Sequence, residues 1–245
     1  MKVIVTNSYD ETCAVIANMI KELVNAKPDA KLGLATGGTP VPIYKKLIEM
    51  NKAGEVDFSR VHTVNLDEYC GIPGTNDQSY RYFMDTNLFD YINIDKKNTF
   101  VASGMGDFEA NARELEEKVR EGGAADLQLL GIGNNGHIAF NEASDHLIAV
   151  AHTEKLTEST INANARFFEK KEDVPTMAIT MGMGDILAAK KVVLAATGLA
   201  KVPAIKGLIM DDVITTQNPS TMLKMHEDAV VVIDRELADA VGYRA

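Results

Sequence analysis

The chain has 245 residues, of which 46% are apolar, 35 are acidic and 25 are basic. This composition is typical of a globular protein with a substantial core. The net charge of −10 repels polyanions, so we expect neither nucleic acid nor an anionic membrane as a partner. The longest apolar runs, such as Val192–Ala196, have five residues, whereas a membrane helix needs about 20.

The N-terminal stretch and the cysteines predict a cytoplasmic protein. Residues 1–12 turn polar after three apolar positions, so no secretory signal is visible. Cys13 and Cys70 are too few and too isolated for a disulfide framework or a cysteine-rich metal site. Reduced thiols fit the cytosol.

Short β-branched runs recur along the chain, each followed by a glycine or polar turn and a stretch with helical spacing, as in repeated β-α units. Runs such as LGLA, VVLAA and AVVVI lack alternation, which is typical of strands buried on both faces. The pattern predicts one α/β domain over residues 1–245, with a doubly wound, mostly parallel sheet between helical layers. The predicted strands are Lys2–Thr6, Lys31–Thr36, Arg60–Leu66, Thr99–Ala102, Asp126–Ile132, Thr176–Met181, Lys191–Ala196 and Ala229–Asp234.

Three helices are predicted from their starts or their apolar spacing. Ser8 and Glu11 have capping-box spacing before an apolar stripe. Thr39 and Pro40 are expected as the N-cap and first residue of the second helix. A third helix carries apolar residues at spacings of four, three and four, namely Phe108, Ala112, Leu115 and Val119. In such folds ligands bind beyond the carboxyl ends of the strands, so polar residues that follow strands are the functional candidates.

The first such strand end is the run Thr36, Gly37, Gly38 and Thr39, followed by a helix start. Backbone N–H groups and a helix N-terminus in this arrangement suit a phosphate. A tight turn that simply needs glycine explains the run equally well, and the lysine of a Walker loop is absent.

The second strand end carries two adjacent carboxylates, Asp67 and Glu68. Because successive strand residues point to opposite faces, only one of the two can face a given site, and the spacing does not choose between them. Either a solvated acidic loop or a general base for a carbon-bound proton fits this pair.

The third strand end, GIGNNGH from Gly131 to His137, formally matches a dinucleotide-binding fingerprint. That fingerprint should open a helix, whereas Asn141 and Glu142 follow at once and the apolar run Leu147–Ala151 is too close for a helix. The context favours a loop in which His137 transfers protons near neutral pH. A histidine that only fills a turn is the structural alternative.

The fourth strand end is Thr197-Gly198 with Lys201 one turn into the next helix. Lys201 could supply local positive charge for a phosphate, although taken alone it fits an ordinary surface lysine. The histidines and cysteines show no metal-ligand spacing, and G-x-S-x-G is absent, so we expect neither a metal nor a serine nucleophile.

Together, in this order and spacing, these segments resemble the glucosamine-6-phosphate deaminase (isomerase) family. The resemblance covers nearly the whole chain. GIGNNGHIAFNE with NLDEY is its most specific part, whereas TGGTP also occurs in related phosphosugar folds. The segments that carry it are LGLATGGTPVPIYKKL, VNLDEYCGI, SYRYFM, LLGIGNNGHIAFNE, ANARFF, Met181–Ala189 and the turn at Lys201.

The resemblance implies an enzyme that opens the ring of glucosamine 6-phosphate, moves a proton between C2 and C1 and releases ammonia to leave fructose 6-phosphate, without a cofactor. It implies Asp67 as the base for the C2 proton, His137 as the ring-opening acid–base residue, and Glu142 as the carboxylate that orients His137. Residues 145–175 are expected to supply a lid over the substrate. The residues expected to bind the substrate phosphate are Thr36, Gly37, Gly38, Thr39, Arg166 and Lys201.

The sequence departs from the family pattern in three respects. Asn135, which we also count as catalytic, stands where many longer members have aspartate, so proton supply depends more on Glu142. His152 and Glu154 stand where longer members have basic residues that bind an acetylated sugar-phosphate activator, so we expect weak or absent allosteric activation. Ala143 replaces a proline, a change with no derivable consequence.

Three alternatives stay open. A galactosamine-6-phosphate enzyme would differ by one inverted hydroxyl, which a single sequence does not specify. A 6-phosphogluconolactonase would need no base over C2, so NLDEY and HIAFNE argue against it. A non-enzymatic sugar-phosphate sensor could lose Asp67 and His137. The subunit number is also open, and a homo-oligomer is one option.

Overall fold

Seven parallel strands form the central sheet of the protein, whose computed structural model describes residues 1–165, 168 and 170–244. Along the sheet the strand order is β1-β10-β9-β6-β2-β3-β5, and the paired neighbours all run parallel. The strands, numbered in chain order together with those of a second sheet, are β1 (Lys2–Thr6), β2 (Lys31–Leu34), β3 (His62–Asn65), β5 (Thr99–Phe100), β6 (Leu127–Leu130), β9 (Val192–Ala196) and β10 (Ala229–Asp234).

A second, antiparallel sheet of three strands has the order β4-β8-β7. Its strands are β4 (Asp67–Tyr69), β7 (His152–Lys155) and β8 (Met177–Thr180). The sequence predicts β8 as one more strand of the buried sheet, but β8 lies between β4 and β7 instead, with Thr180 paired with both Asp67 and His152. The strands β4 and β7 are not predicted, because such short polar segments become strands only through this pairing.

Eight helices of the described chain pack with these sheets and complete the α/β architecture. Ser8 caps the first helix as predicted, since its Oγ accepts a hydrogen bond from Glu11 N at 3.2 Å. The predicted N-cap Thr39 is wrong by one residue: Pro40 takes that position and the helix begins at Val41. The helices are α1 (Tyr9–Ala26), α2 (Val41–Lys52), α3 (Tyr80–Asn87), α4 (Phe108–Arg120), α5 (Glu158–Asn164), α6 (Met183–Leu187), α7 (Val202–Ile209) and α8 (Arg235–Val241).

The core lies between the central sheet and its helices. Every residue of β9 and β10 is buried, as their uninterrupted apolar runs predict. The predicted stripe of α4 is buried at Ala112, Leu115 and Val119, and each fully buried leucine or valine side chain contributes roughly 1.5–3 kcal/mol. Among the described helices, none has the length and apolar character to cross a membrane.

The chain reverses its direction of travel across the sheet between β2 and β6. From β2 it moves outward to β3 and β5, then returns to β6 on the other side of β2 and continues to β9 and β10. Such a switch point opens a crevice beyond the carboxyl ends of the two strands. Because β9, β6, β2 and β3 are neighbours in the sheet, the turns that follow them meet at this one edge.

Candidate active site

A cleft of about 820 Å³ lies at this edge of the central sheet. All four predicted strand ends contribute to its wall, so the sheet brings together residues that are far apart in the sequence. Glu142 lies behind this wall in contact with His137. Arg166, the other predicted phosphate ligand, lies outside the described residues. The predicted site residues on the wall are Thr36, Gly37, Gly38, Thr39, Asp67, Asn135, His137 and Lys201.

The turn between β2 and α2 has the features of an anion site. Gly37 has φ +95°, which side chains other than glycine rarely tolerate. The Tyr9 hydroxyl donates a hydrogen bond to Thr39 O at 2.8 Å, and burial raises the pKa of Tyr9 to about 12, so this donor stays protonated at neutral pH. The N-terminus of α2 and the Lys201 side chain add positive potential to the same cleft.

Asp67 is a buried carboxyl group on the cleft wall. Its side chain belongs to β4, and the residue is only 7% exposed. Burial, followed by the neighbouring charge of Glu68, raises the pKa of Asp67 to about 8. A carboxyl group with a pKa near neutral can exchange a proton at physiological pH. Chemically, Asp67 is therefore suited to remove a proton from a bound molecule.

Glu68 faces away from the cleft and holds the start of α3. Its carboxylate accepts hydrogen bonds from Ser79 Oγ at 2.9 Å, Tyr80 N at 2.9 Å and Arg81 N at 3.0 Å. Burial raises the pKa of Glu68, and these hydrogen bonds oppose that rise. An anion at a helix N-terminus stabilises the helix. The structure thus separates the two adjacent carboxylates into one on the cleft wall and one in the scaffold.

The glycines of the loop after β6 make room for other side chains. A Cβ on Gly133 would lie 2.3 Å from the His137 ring, and one on Gly136, which has φ +86°, would lie 1.9 Å from Asn218 Oδ1. Ala139 also lies in the left-handed region, with φ +54°, which is uncommon for a residue with a side chain and is found most often at functional sites. This loop packs tightly around His137.

The same loop does not have the structure of a dinucleotide site. No helix opens after Gly136, and a two-residue bridge joins Ile138 to Asn141 instead. This agrees with the sequence interpretation of the loop. Among the residues that the structure describes, there is also no group of three or more histidine, cysteine, aspartate or glutamate side chains placed to hold a metal ion.

Glu142 is a buried carboxylate with partners on both of its oxygens. Oε2 accepts a hydrogen bond from Asn135 Nδ2 at 2.8 Å and lies 3.4 Å from His137 Nδ1. This ion-pair contact is not aligned as a hydrogen bond, since His137 Nδ1 has no hydrogen-bond partner. Oε1 accepts from the Thr160 hydroxyl. Burial raises the pKa of Glu142, but His137, Thr160 and Asn135 outweigh it and lower the pKa to about 2, so the group is an anion at neutral pH.

Tyr80, Phe140 and Thr160 are among the cleft-wall residues that carried no role in the sequence analysis. The rings of Tyr80 and Phe140 stack with centroids 6.2 Å apart, and Tyr69 packs 4.9 Å from Tyr80. Tyr80 and Phe140 share the cleft wall with Asp67, whose raised pKa is caused first by burial. The segment SYRYFM marked the position of Tyr80, but no signal in the sequence pointed to Thr160.

The chain matches a family model described as glucosamine-6-phosphate isomerases/6-phosphogluconolactonase over residues 6–232. It is 52% identical over 242 residues to a glucosamine-6-phosphate deaminase of Clostridium beijerinckii, covering 98% of this chain and 100% of the relative. A glucosamine-6-phosphate deaminase of Clostridium perfringens is 50% identical over 239 residues, covering 97% of this chain and 98% of the relative. A solved structure of a monomeric glucosamine-6-phosphate deaminase of the NagB superfamily superposes with a TM-score of 0.94 at 38% identity, covering 98% of this chain and 100% of the other.

Proposed function

Because this chain belongs to the glucosamine-6-phosphate isomerase/6-phosphogluconolactonase family, we propose that it converts glucosamine 6-phosphate to fructose 6-phosphate and ammonia. The protein is an enzyme, and its relatives of about 50% identity over the full length are glucosamine-6-phosphate deaminases. The observation that carries the proposal is a buried base, Asp67, on the same cleft wall as a glycine turn suited to phosphate.

Asp67 would take the proton from C2 of the opened amino sugar and return it at C1, which leaves an imine at C2. Addition of one water to this imine breaks the C2–N bond and gives the ketone of fructose 6-phosphate and ammonia. A general base works best when its pKa lies near the operating pH, and the pKa of Asp67 of about 8 meets this condition. The aromatic rings of Tyr80 and Phe140 line the same cleft. A wall of low polarity strengthens the interaction between the base and the carbon-bound proton.

His137 would open the sugar ring with Glu142 behind it. The charge of Glu142, 3.4 Å from His137 Nδ1, stabilises the imidazolium that forms when the ring nitrogen takes a proton. The Asn135 amide does not ionise, so it cannot supply a proton as an acid would. Its amide instead donates to Glu142 at 2.8 Å, which supports a role in holding the carboxylate.

The substrate phosphate would lie in the turn formed by Thr36, Gly37, Gly38 and Thr39, with positive charge from Lys201 and from Arg166. The four turn residues and Lys201 all lie on the wall of the cleft, which supports this assignment. Residues 145–175 remain our proposal for a lid, supported by α5, whose Thr160 lies on the cleft wall and contacts Glu142.

The family also includes 6-phosphogluconolactonases, and the geometry favours the deaminase. Hydrolysis of a lactone needs an activated water but no base for a carbon-bound proton. A carboxyl group held in an apolar position with a pKa near neutral is costly to maintain, so its presence supports proton abstraction. Glucosamine and galactosamine 6-phosphates differ at one hydroxyl, and both belong in the test.

The test is release of ammonia by purified protein, without added metal or nucleotide, from glucosamine 6-phosphate and from galactosamine 6-phosphate, with 6-phosphogluconolactone hydrolysis assayed alongside. We expect turnover of the glucosamine compound and loss of that turnover in Asp67→Asn and His137→Gln. An inactive wild type, or a fully active Asp67→Asn variant, would overturn the proposal.

We further propose that the enzyme is cytoplasmic and that its partner is a small-molecule amino sugar phosphate. The two cysteines, Cys13 and Cys70, are both buried and unbonded, in keeping with a reducing compartment. A monomer is supported by the solved monomeric deaminase, against the homo-oligomer that the sequence leaves open. Sedimentation of the purified protein distinguishes the two states.

A further inference from the structure

The two oxygens of the Glu142 carboxylate have separate sets of partners. Oε2 faces the loop after β6, where it contacts Asn135 and His137. Oε1 faces α5, where it accepts from the Thr160 hydroxyl and lies 3.4 Å from Thr157 Oγ1. One oxygen therefore serves the ring-opening histidine and the other is held by the start of a helix.

The Thr160 hydroxyl is itself oriented by its surroundings. Thr160 is 6% exposed, and the distance between Thr157 Oγ1 and Thr160 Oγ1 is 3.1 Å. Thr157 Oγ1 also accepts from Thr160 N at 3.2 Å as the N-cap of α5. Because a hydroxyl donates only one proton, Thr160 gives its proton to Glu142 and accepts from Thr157, so the two hydroxyls form a chain that ends on the carboxylate.

The terminal torsion of a glutamate side chain is soft, and the contact between Glu142 and His137 is not aligned as a hydrogen bond. The His137 contact and the Asn135 hydrogen bond both fall on Oε2, so they leave Oε1 to be held from the other side. The Thr160 donor on Oε1 fixes the rotation of the carboxylate and keeps Oε2 facing His137. Charge-assisted hydrogen bonds of this kind are among the strong ones.

We infer that Thr160 is a positioning residue, whose hydroxyl fixes the rotation of the Glu142 carboxylate so that Oε2 faces His137. The inference rests on the proposed function, in which Glu142 supports His137 during ring opening. Helix α5 would then contribute to ring opening, because its Thr160, 18 positions from Glu142 in the chain, holds the Glu142 carboxylate.

The experiment compares Thr160→Val, which keeps the shape and removes the hydroxyl, with Thr160→Ser, which keeps the hydroxyl. Loss of a hydrogen bond to a charged group should lower kcat about tenfold in Thr160→Val, with KM changed less than about twofold because Thr160 acts through Glu142. Thr160→Ser should retain most of kcat. A purely structural role for Thr160 would not give this division between kcat and KM.

The matched control is Thr86→Val. Thr86 is also a helical threonine with a donated hydroxyl hydrogen bond, to Tyr82 O at 2.8 Å, but this hydrogen bond is exposed and lies outside the cleft wall, so kcat should not change. A second readout is independent of turnover: titration of ¹³C-labelled glutamate carboxyl groups by NMR, with Glu142→Gln used for assignment. The pKa of Glu142 should rise from about 2 toward the ordinary glutamate value of about 4.3 in Thr160→Val and in Thr160→Ala.

The outcomes separate the two proposals. An active wild type with an unchanged kcat in Thr160→Val, or an unchanged Glu142 titration in Thr160→Ala, overturns the inference and leaves the proposed function standing. An inactive wild type overturns the proposed function and the inference with it. Alanine is favoured inside a helix, so Thr160→Ala supplies a folded protein for the NMR titration if valine disturbs α5.

Discussion

Asp67 and Glu68 are neighbours on β4, yet the Asp67 carboxyl group lines the cleft and the Glu68 carboxylate holds the first turn of α3. The alternation of a strand separates them. Pairing of Asp67 with Thr180 and of Glu68 with Ile179 in β8 fixes which one faces the substrate. Two adjacent carboxyl groups of the sequence therefore have separate roles, one on the cleft wall and one in the scaffold.

The first prediction concerns two isosteric changes at these neighbours. Asp67→Asn should lower kcat by about 10²–10⁴ without loss of stability, because it replaces a poorly solvated carboxyl group by a neutral one. Glu68→Gln should lower the free energy of unfolding by about 1–3 kcal/mol, since an amide oxygen cannot replace a carboxylate that accepts from several donors. Steady-state kinetics and urea unfolding of both variants check this. A loss of stability in Asp67→Asn together with a large loss of kcat in Glu68→Gln would contradict it.

The second prediction concerns pH. Asp67 must be ionised to act as a base, so kcat/KM should rise with pH through about 8. Part of this elevated pKa comes from the charge of Glu68, so the rise should occur at lower pH in Glu68→Gln. Initial rates between pH 5 and pH 10 test this. A profile that is flat from pH 6 to pH 9, or that falls as pH rises toward 8, would count against a buried base.

The same pKa has a consequence for stability. The folded pKa of Asp67, about 8, lies above the unfolded value of about 3.9. The folded state therefore binds more protons at Asp67 between these values, and the contribution of Asp67 to wild-type stability declines as pH rises from about 4 through 8. Asp67→Asn lacks this contribution, so its stability relative to the wild type should increase over that range in urea unfolding at several pH values.

The third prediction compares the two glycines of the phosphate turn. Gly37 has φ +95°, whereas Gly38 is not among the residues with positive φ, and a Cβ at either position meets nothing within 4 Å. Gly37→Ala should therefore cost about 1–2 kcal/mol of stability through backbone strain alone, and Gly38→Ala should cost less. Equal unfolding free energies of the two variants would show that the turn does not require the conformation of Gly37.

The fourth prediction is that N-acetylglucosamine 6-phosphate does not activate the enzyme. His152 Nε2 lies 3.4 Å from Glu154 Oε2, so a carboxylate lies beside the histidine and its charge repels an anion. The apparent KM should change by less than about twofold, against the roughly fivefold or more typical of allosteric coupling. Substrate saturation curves with and without the compound decide this.

The sequence predicts those parts of the fold that have a local pattern. The strands β9 and β10 are buried on both faces, so their apolar runs locate them within a residue of the observed bounds. The strand β7, with the sequence HTEK and mostly half-buried residues, has no such pattern and exists through its pairing with β8.

The candidate site divides in the same way. The glycine turn and His137 lie at strand ends that the sequence already predicts. The choice between Asp67 and Glu68 depends on how β4 pairs with β8, and the contact of Thr160 with Glu142 depends on where α5 packs. The spacing of residues along the sequence predicts neither of these long-range contacts, although the family resemblance indicated Asp67.

The central position of β8 in the small sheet makes the site sensitive to changes in chain length. β4 carries Asp67 on one side of β8, and β7 leads into α5 and Thr160 on the other. A single inserted or deleted residue within β4 would exchange the faces of Asp67 and Glu68, and one in β8 would shift the pairing of both outer strands. Natural variation in residues 67–69 and 177–180 should therefore consist of replacements at constant length, with insertions confined to the connecting loops.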